Sequence, residues 1–305
     1  MLRALFLRLS ESRRLRALAE RSSLGRRVSR RFVAGETVDQ ALAATRAVNQ
    51  RGMSVSIDNL GENVTNSDDA RQSAALYHHM LDRMAAENLD ANVSLKLTHM
   101  GLDVDAALAS ELARGLVEHA VRANSFVRVD MEGSPYTQRT LDFVRALHRE
   151  PGHSGRVGAV LQSYLYRSEE DARALAAEGI RIRLCKGAYQ EPAAIAFQKK
   201  SEVDAGFVRI MKILLQSGVY HGIATHDEKM IAATLDFARA QNIPASAFEF
   251  QMLYGIRRDL QQKLTGDGWR VRVYIPFGAE WYPYFMRRLA ERPANVFFLV
   301  KNLFR

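Results

Sequence analysis

Eight short runs of β-branched and apolar residues alternate along this chain with longer amphipathic stretches rich in alanine and leucine. Strands that alternate with helical stretches are typical of parallel βαβ units, and a parallel sheet of eight such units closes into a barrel. The sequence therefore predicts an α/β fold of the (β/α)8, or TIM-barrel, class. The predicted strands are Ser54–Leu60, Asn92–Leu97, Phe126–Met131, Val157–Tyr164, Ile180–Cys185, Tyr220–Thr225, Phe248–Leu253 and Val271–Pro276.

The stretches between the predicted strands have the apolar periodicity of helices. One more helical segment, Tyr284–Glu291, follows the last strand, and we expect it to lie over the carboxyl ends of the strands. An open doubly wound sheet is the alternative, but the G-x-G-x-x-G motif typical of such sheets does not follow the first strand. The other predicted helices are Asp68–Glu87, Val104–Ala123, Tyr136–Arg149, Ser168–Glu178, Val203–Ser217 and Glu228–Asn242.

Residues 1–50 combine a helical pattern with a strong positive charge. They contain eleven arginines against four acidic residues. Thr37 is predicted to cap a helix over Val38–Asn49. No linker rich in proline, glycine or serine divides the chain. We therefore expect residues 1–50 to form a helical N-terminal extension of the same domain, and residues 51–305 to form the catalytic barrel.

This basic arm, residues 1–50, is a candidate for peripheral contact with an anionic membrane, since clustered cations attract phosphate groups. A solvated helical face is the alternative. Nucleic acid is not an expected partner, because no helix-turn-helix, zinc-finger or RNP-type pattern accompanies the charge. No apolar run approaches the roughly 18 residues needed to span a bilayer. The expected location is the cytoplasm, with attachment to the inner face of the cell membrane as an open alternative.

Several kinds of site are disfavoured by the residues that the chain lacks. The one cysteine, Cys185, excludes internal disulfides and cysteine-only zinc sites. The eight histidines show no H-E-x-x-H or other ligand spacing, so no metal site is predicted. Neither the G-x-S-x-G motif of a nucleophile elbow nor the G-x-x-x-x-G-K-[ST] motif of a P-loop occurs.

Barrel enzymes carry their reactive groups where strands end and βα loops begin, and these positions are unusually polar in this chain. Burying many ionisable groups is costly unless they pair or bind something, so the set indicates a polar ligand. Lys96 and Asp130 end neighbouring strands and are predicted to hold each other, with the ammonium free to meet a substrate carboxylate. His226 is either a base or a hydrogen-bonding cofactor contact. The full set is Asp58, Glu62, Lys96, Asp130, Glu132, Gln162, Arg183, Lys186, Thr225, His226, Glu249, Gln251 and Tyr274.

A second group of cations lies in the late helix, within the segment WYPYFMRRLAERP. Tyr284 and Arg288 are four residues apart and share a helix face, whereas Arg287 points about 100° away. Paired arginines suit a bidentate grip on a carboxylate or phosphate, and together with Lys96 they would enclose a small anion. An exposed Arg–Glu pair with Glu291 is the alternative.

Ten segments, in order, make the chain resemble the proline dehydrogenase family in its short monofunctional bacterial form. Members of this family are flavoenzymes that oxidise L-proline to Δ1-pyrroline-5-carboxylate. The resemblance covers nearly the whole chain and implies a distorted (β/α)8 barrel with FAD lying over the strand ends. It also implies L-proline as substrate and a membrane quinone as electron acceptor. The segments are RRFVAGET, IDNLGE, SLKLT, VRVDME, LQSYLYR, RLCKGAY, ATHD, FEFQMLYG, VYIPFG and YFMRRLAERP.

The resemblance implies a role for each matching residue. The catalytic residues would be Arg183, beside the reactive flavin N5 atom, and Asp130, which would orient Lys96. Glu62 would pair with Arg287 as a gate over the substrate. Substrate would be bound by Lys96, Arg287 and Arg288, which grip the carboxylate, and by Leu253, Tyr274 and Tyr284, which wall the ring. FAD would be bound by Val129 through its backbone and by Gln162, Lys186, Gly187, Ala188, Thr225 and His226.

Two other functions stay open on the residues alone. A barrel lyase or aldolase would use Lys96 or Lys186 to form a Schiff base, since a lysine out of water near other cations is nucleophilic. A non-enzymatic basic protein would bind membrane or nucleic acid through its arginines, with a steep dependence on salt. A yellow protein that L-proline bleaches would separate the flavoenzyme from both alternatives.

Overall fold

The computed structural model describes residues 22, 25, 29–61 and 64–291, without the side chains of residues 287–291. Its strands are β1 (Ser54–Asn59), β2 (Ala91–Leu95), β3 (Val127–Val129), β4 (Val157–Gln162), β5 (Arg181–Cys185), β6 (His221–Ala224), β7 (Phe248–Leu253) and β8 (Val271–Phe277). They form a closed parallel barrel in chain order, in which β8 pairs with β1. The predicted barrel is confirmed, and no predicted strand end is displaced by more than two residues.

Nine α-helices are present in the described part of the chain: α1 (Val38–Asn49), α2 (Ser67–Ala86), α3 (Ala106–Arg122), α4 (Ser134–His148), α5 (Ser168–Ala177), α6 (Lys200–Gln216), α7 (Glu228–Ala240), α8 (Arg258–Gly266) and α9 (Trp281–Glu291). The sequence predicts all of them except α8. That helix has nine residues and buries only Leu260, Gln261 and Leu264, so its apolar periodicity is too short to stand out.

Side-chain caps explain where several of these helices begin. Thr37 accepts a hydrogen bond from the Gln40 amide at 3.3 Å, and the Gln40 side chain reaches back to the Thr37 amide, which completes a capping box for α1. Asp105 accepts from two amides of the first turn of α3. Asp227 accepts from the Lys229 amide at 3.0 Å and caps α7. Caps of this kind satisfy amides that have no partner within the helix.

Along the strands, side chains alternate between an apolar layer outside the barrel and a polar interior. On β1, Val55 and Ile57 are fully buried in the main hydrophobic core, which the helices cover. Ser56 and Asp58, on the opposite face, hydrogen-bond to side chains inside the barrel. Because successive side chains of a strand point to opposite faces, one strand supplies both the core and the interior polar groups.

A second hydrophobic cluster holds α9 over the carboxyl ends of the strands, as predicted. Trp281, Tyr284 and Phe285 of this helix pack with Leu60, which follows β1, and with Leu253, the last residue of β7. Two residues of the N-terminal region, Phe32 and Val33, also belong to this cluster. Within the described residues, no helix has both the length and the apolar character needed to cross a membrane.

Candidate active site

Arg183 of β5 extends into the barrel interior and is held by four side chains. Its Nη1 donates to Asp130 Oδ1 at 2.5 Å, and its Nε donates to Gln251 Oε1. Its Nη2 donates to the hydroxyls of Ser56 and Ser94 at 3.2 and 3.0 Å. Arg183 is only 7% exposed, so these bonds form away from water, where they are strongest. The guanidinium is therefore fixed in one orientation at the centre of the barrel.

Tyr274 of β8 joins the same group. Its hydroxyl donates to Asp130 Oδ2 at 2.9 Å, and the Arg183 guanidinium carbon lies 5.1 Å from the centre of its ring. Burial raises the pKa of the Tyr274 phenol well above its usual range, and the charges of Asp130 and Asp58 raise it further. The phenol therefore stays protonated and serves as a hydrogen-bond donor.

Lys96, which follows β2, donates to Asp58 Oδ2 at 3.4 Å. Asp58 is almost completely buried and also accepts from the Tyr77 hydroxyl at 3.4 Å. Burial raises the pKa of the Asp58 carboxyl, and the positive charge of Lys96 opposes that rise. We expected Asp130 to orient Lys96. The ion pair seen for Lys96 is with Asp58, while Asp130 bonds to Arg183 and Tyr274.

Two of the predicted cofactor residues lie at the ends of β4 and β5. Gln162 is 2% exposed and donates from its amide nitrogen to the Glu132 carbonyl at 3.1 Å. Lys186 donates to Asp204 at 2.5 Å and to Asp227 at 2.8 Å. Burial raises the pKa of Asp227, but the hydrogen bond from Lys186 and further contacts outweigh it and bring this pKa to about 2. Lys186 is thus an ammonium held between two carboxylates, which does not favour it as a Schiff-base nucleophile.

Gly187 and Ala188 continue the chain at the carboxyl end of the barrel, and both are exposed. Gly187 has φ +118°, a conformation that side chains disfavour. A Cβ atom at this position would lie 1.6 Å from Cε1 of Tyr164. Only glycine fits here, because the Tyr164 ring occupies the space that a side chain would take and packs directly against the backbone.

Thr225 and His226 follow β6, and both make bonds within the protein. The Thr225 hydroxyl accepts from the Asp227 amide at 3.1 Å. His226 Nε2 accepts from the Leu253 amide at 2.8 Å, so in the neutral ring Nδ1 carries the hydrogen. His226 therefore links the ends of β6 and β7, which supports a positioning contact over a role as base at Nε2. Val129, the last residue of β3, is fully buried.

The remaining predicted site residues are near or within α9. Leu253 and Tyr284 share the second hydrophobic cluster, which brings both to the carboxyl end of the barrel. Arg287 and Arg288 lie in the last turns of α9, and their side chains fall outside the described residues. Glu62 also falls outside them. The arginine grip and the Glu62–Arg287 gate therefore stay predictions.

Three side chains of the site are absent from the sequence prediction. Ser56 and Ser94 each stand two residues before a predicted site residue, Asp58 and Lys96, and so share its face of the strand. That period of two could have identified both serines. Tyr77 lies on α2 and is fully buried. Its spacing on the helix is that of a core residue, so no sequence signal indicates its bond to Asp58.

Two of the cations towards the carboxyl end of the barrel, Lys96 and Arg183, thus each lie beside a buried carboxylate. Such a pair can attract an anionic substrate and stabilise negative charge that develops close to Arg183. Tyr274 and Leu253 add an aromatic and an aliphatic surface at the same end. In the part of the chain that the structure describes, no cluster of three or more histidine, cysteine or acidic side chains is suited to a metal ion.

Comparison with known proteins agrees with this geometry. The family model for proline dehydrogenase matches residues 41–301. The chain is 40% identical to proline dehydrogenase 1 of Bacillus subtilis, over all of both sequences. It is also 40% identical to the proline dehydrogenase of Deinococcus radiodurans, over 91% of this chain and 90% of that protein.

Among solved structures, the barrel is similar to that of proline utilization A (PutA) from Bdellovibrio bacteriovorus inactivated by N-propargylglycine. The TM-score is 0.82 at 26% identity, and the match covers 88% of this chain and 33% of that larger one. The family match, the full-length identity to monofunctional bacterial enzymes and the shared barrel lead to one conclusion: this chain belongs to the proline dehydrogenase family.

Proposed function

We propose that this protein is an FAD-dependent proline dehydrogenase that oxidises L-proline to Δ1-pyrroline-5-carboxylate, the first step of proline breakdown to glutamate, and passes the electrons to a membrane quinone. Proline dehydrogenase activity is supported by membership of the family. The observation that carries the rest is Arg183, a cation fixed by Asp130, Gln251, Ser56 and Ser94. A cation that is already oriented can stabilise a negative charge without further reorganisation.

The residues around Gly187 fit a flavin nucleotide. Gly187 lets the backbone pack directly against the Tyr164 ring, and Gly187 and Ala188 are exposed at the carboxyl end of the barrel, where a flavin nucleotide would lie. Lys186, next to Gly187 in the chain, supplies a cation, and Gln162, at the end of β4, supplies a buried amide. We propose that Val129, Ala188, Thr225 and His226 complete the binding surface. Bound FAD would supply the acceptor for the hydride that leaves C5 of proline.

The substrate would be held by its carboxylate. Lys96 lies at the carboxyl end of β2 beside Asp58, and we propose that Arg287 and Arg288 of α9 approach the same carboxylate from above. Leu253, Tyr274 and Tyr284 would wall the proline ring. Fixing both the carboxylate and the ring orients C5 for transfer and lowers the barrier through positioning.

Arg287 would have a second role with Glu62. We propose that the two form an ion pair when substrate is bound, which closes the site and excludes water. Asp130 would act through Arg183 and Tyr274 rather than on the substrate directly, because both of its oxygens already accept hydrogen bonds from these two side chains.

The basic arm, residues 1–50, would attach the enzyme to anionic lipid at the inner face of the cell membrane, where quinone is found. Eleven arginines give this region the charge that such attachment needs. Liposome sedimentation tests the proposal: the full chain should bind anionic vesicles, and a variant lacking residues 1–30 should not. Equal binding by both proteins would show that the arm is not the anchor.

The visible spectrum tests the central proposal. The purified protein should be yellow, and anaerobic L-proline should bleach the flavin band. A colourless protein that borohydride traps covalently with a carbonyl substrate would instead support a Schiff-base enzyme. Arg288→Met should raise the KM for proline sharply and leave FAD bound, since it removes a substrate contact and no cofactor contact. Unchanged proline kinetics in this variant would contradict the assigned site.

A further inference from the structure

The barrel has a second opening at the amino-terminal ends of its strands, opposite the candidate active site. A cavity of about 680 Å³ lies there. Ser54, Arg181 and Val271, which begin β1, β5 and β8, are among its lining residues. This amino-terminal mouth takes no part in the chemistry proposed above.

Three arginines line the mouth, and only one of them has a carboxylate partner. Arg272 donates to Glu249 at 2.7 Å, and Glu249 is buried. Among the described residues, no carboxylate lies within 4 Å of the guanidinium of Arg181 or Arg270. The one acid that lines the cavity, Asp90, accepts from the Ser54 hydroxyl at 2.6 Å. The mouth therefore carries an excess of positive charge.

Arg181 is held in place without a carboxylate of the described residues in contact with it, and its Nη1 donates to the Gly155 carbonyl at 3.5 Å. Its guanidinium carbon lies 4.4 Å from the ring centre of Phe126 and 4.8 Å from that of Tyr220. Its Nε is buried without a hydrogen-bond partner. Burial lowers the pKa of Arg181, which reflects how poorly this environment accommodates the charge. A partly buried cation with an unused donor is unfavourable unless a ligand supplies the missing acceptor and the missing charge.

Arg270 faces the same cavity from a more accessible position. It is exposed, and its guanidinium carbon lies 5.6 Å from the centre of the Tyr220 ring, the ring on which Arg181 also stacks. One aromatic ring thus sets the positions of two guanidinium groups. Planar guanidinium groups match the geometry of oxyanions and bind them through paired N–H bonds.

We propose that the amino-terminal mouth is a binding site for a small multivalent oxyanion of the phosphate class, held between Arg181 and Arg270. The active-site cations Lys96 and Arg183 differ from this pair, because each of them has a carboxylate partner within the protein. Arg270 would meet the anion from solvent, and Arg181 would bind it at the wall of the cavity.

Isothermal titration calorimetry on the full-length, FAD-bound protein tests the proposal. Inorganic phosphate should bind saturably at constant ionic strength, with a Kd in the millimolar range or lower. Glycerol phosphate, titrated in parallel, would show whether the site takes the free ion or a phosphate ester. Tighter binding of the ester would assign the site to phosphorylated metabolites, and tighter binding of phosphate to the free ion.

Arg270→Gln should weaken phosphate binding at least about tenfold, since it removes a charge-assisted pair of hydrogen bonds. Because Arg270 is exposed, this variant should fold and oxidise proline as the parent does. Arg239→Gln is the matched control: Arg239 is exposed, lies on α7 and should leave binding unchanged. The proposal is overturned if phosphate does not saturate, or if Arg270→Gln binds it as tightly as the parent.

Discussion

Asp130 joins Arg183 to Tyr274: one carboxylate oxygen accepts from the guanidinium at 2.5 Å and the other accepts from the phenol at 2.9 Å. Asp130→Ala would remove both bonds and leave the buried Arg183 charge without its carboxylate. We expect kcat for proline oxidation to fall by roughly 100-fold, because the cation nearest the proposed chemistry would lose its fixed orientation. Steady-state kinetics with saturating proline measure this loss.

Tyr274→Phe is the matched control for that variant. It removes the phenol's bond to Asp130 and keeps the ring beneath Arg183. Losing one such hydrogen bond should cost about 1 kcal/mol, or roughly a fivefold change in rate. If Asp130→Ala lowers kcat no more than Tyr274→Phe does, the Arg183–Asp130 pair has no special role.

The pair formed by Lys96 and Asp58 leads to a different kinetic signature. Asp58→Asn keeps the shape of the buried side chain and removes the charge that holds Lys96. We expect the KM for proline to rise by about tenfold while kcat and the flavin spectrum change little, because the change affects carboxylate binding in the ground state and transition state alike. Asp236→Asn, at an exposed acid of α7, should leave KM unaltered. A lower kcat at constant KM would place Asp58 in the chemical step instead.

Gly187 offers a test of the proposed FAD surface. Gly187→Ala would place a methyl group against the Tyr164 ring and impose φ +118° on a residue with a side chain. We expect FAD to dissociate at least about tenfold more readily, because the loop must shift away from Tyr164 and would displace Lys186 and Ala188, which we propose to contact the cofactor. Gly152→Ala controls for the backbone conformation alone, since Gly152 has φ +80° with no atom within 4 Å of its added Cβ. Flavin fluorescence on dilution measures release, and equal retention in both variants would argue against a cofactor at Gly187.

Most of the fold could be predicted because the periodicity of apolar residues in a helix or strand is visible over a short stretch of sequence. Each strand and all but one helix have a recognisable apolar pattern over six or more neighbouring residues. The exception, α8, spans nine residues with two buried leucines, Leu260 and Leu264, and Arg257, which precedes it, provides no side-chain cap. Its position follows from packing against the barrel, which no local pattern reveals.

The polar residues at the strand ends could be identified from the sequence, but their pairing could not. Lys96 follows β2, and both neighbouring strands have an aspartate at the carboxyl end: Asp58 is near the end of β1, and Asp130 follows β3. The sequence offers no reason to prefer either. Arg183 and Tyr274 decide which aspartate pairs with Lys96, because they donate to both oxygens of Asp130. They lie 53 and 144 positions from Asp130 along the chain. Competition among distant partners is a property of the closed barrel.

A buried histidine in the barrel, His221, should make the stability of the protein depend on pH. His221 is fully buried on β6, where its Nδ1 accepts from the Ile182 amide at 3.0 Å. Burial, with the charges of Arg128 and Arg181, lowers the pKa of His221 from 6.5 to about 3. Between these values the unfolded chain binds a proton that the folded protein rejects, so the stability present above pH 6.5 is lost as the pH falls towards 3.

From pH 7 to pH 5 this one histidine should lower the free energy of unfolding by about 2 kcal/mol. His221→Asn keeps an acceptor for the Ile182 amide and removes the titration, so the variant should lose less stability than the parent over this interval, whatever its stability at pH 7. Urea denaturation at the two pH values measures the difference, and His79→Asn, at an exposed position, is the control. If His221→Asn and the parent lose the same free energy, the folded protein must already accept the proton at His221 and the lowered pKa is wrong.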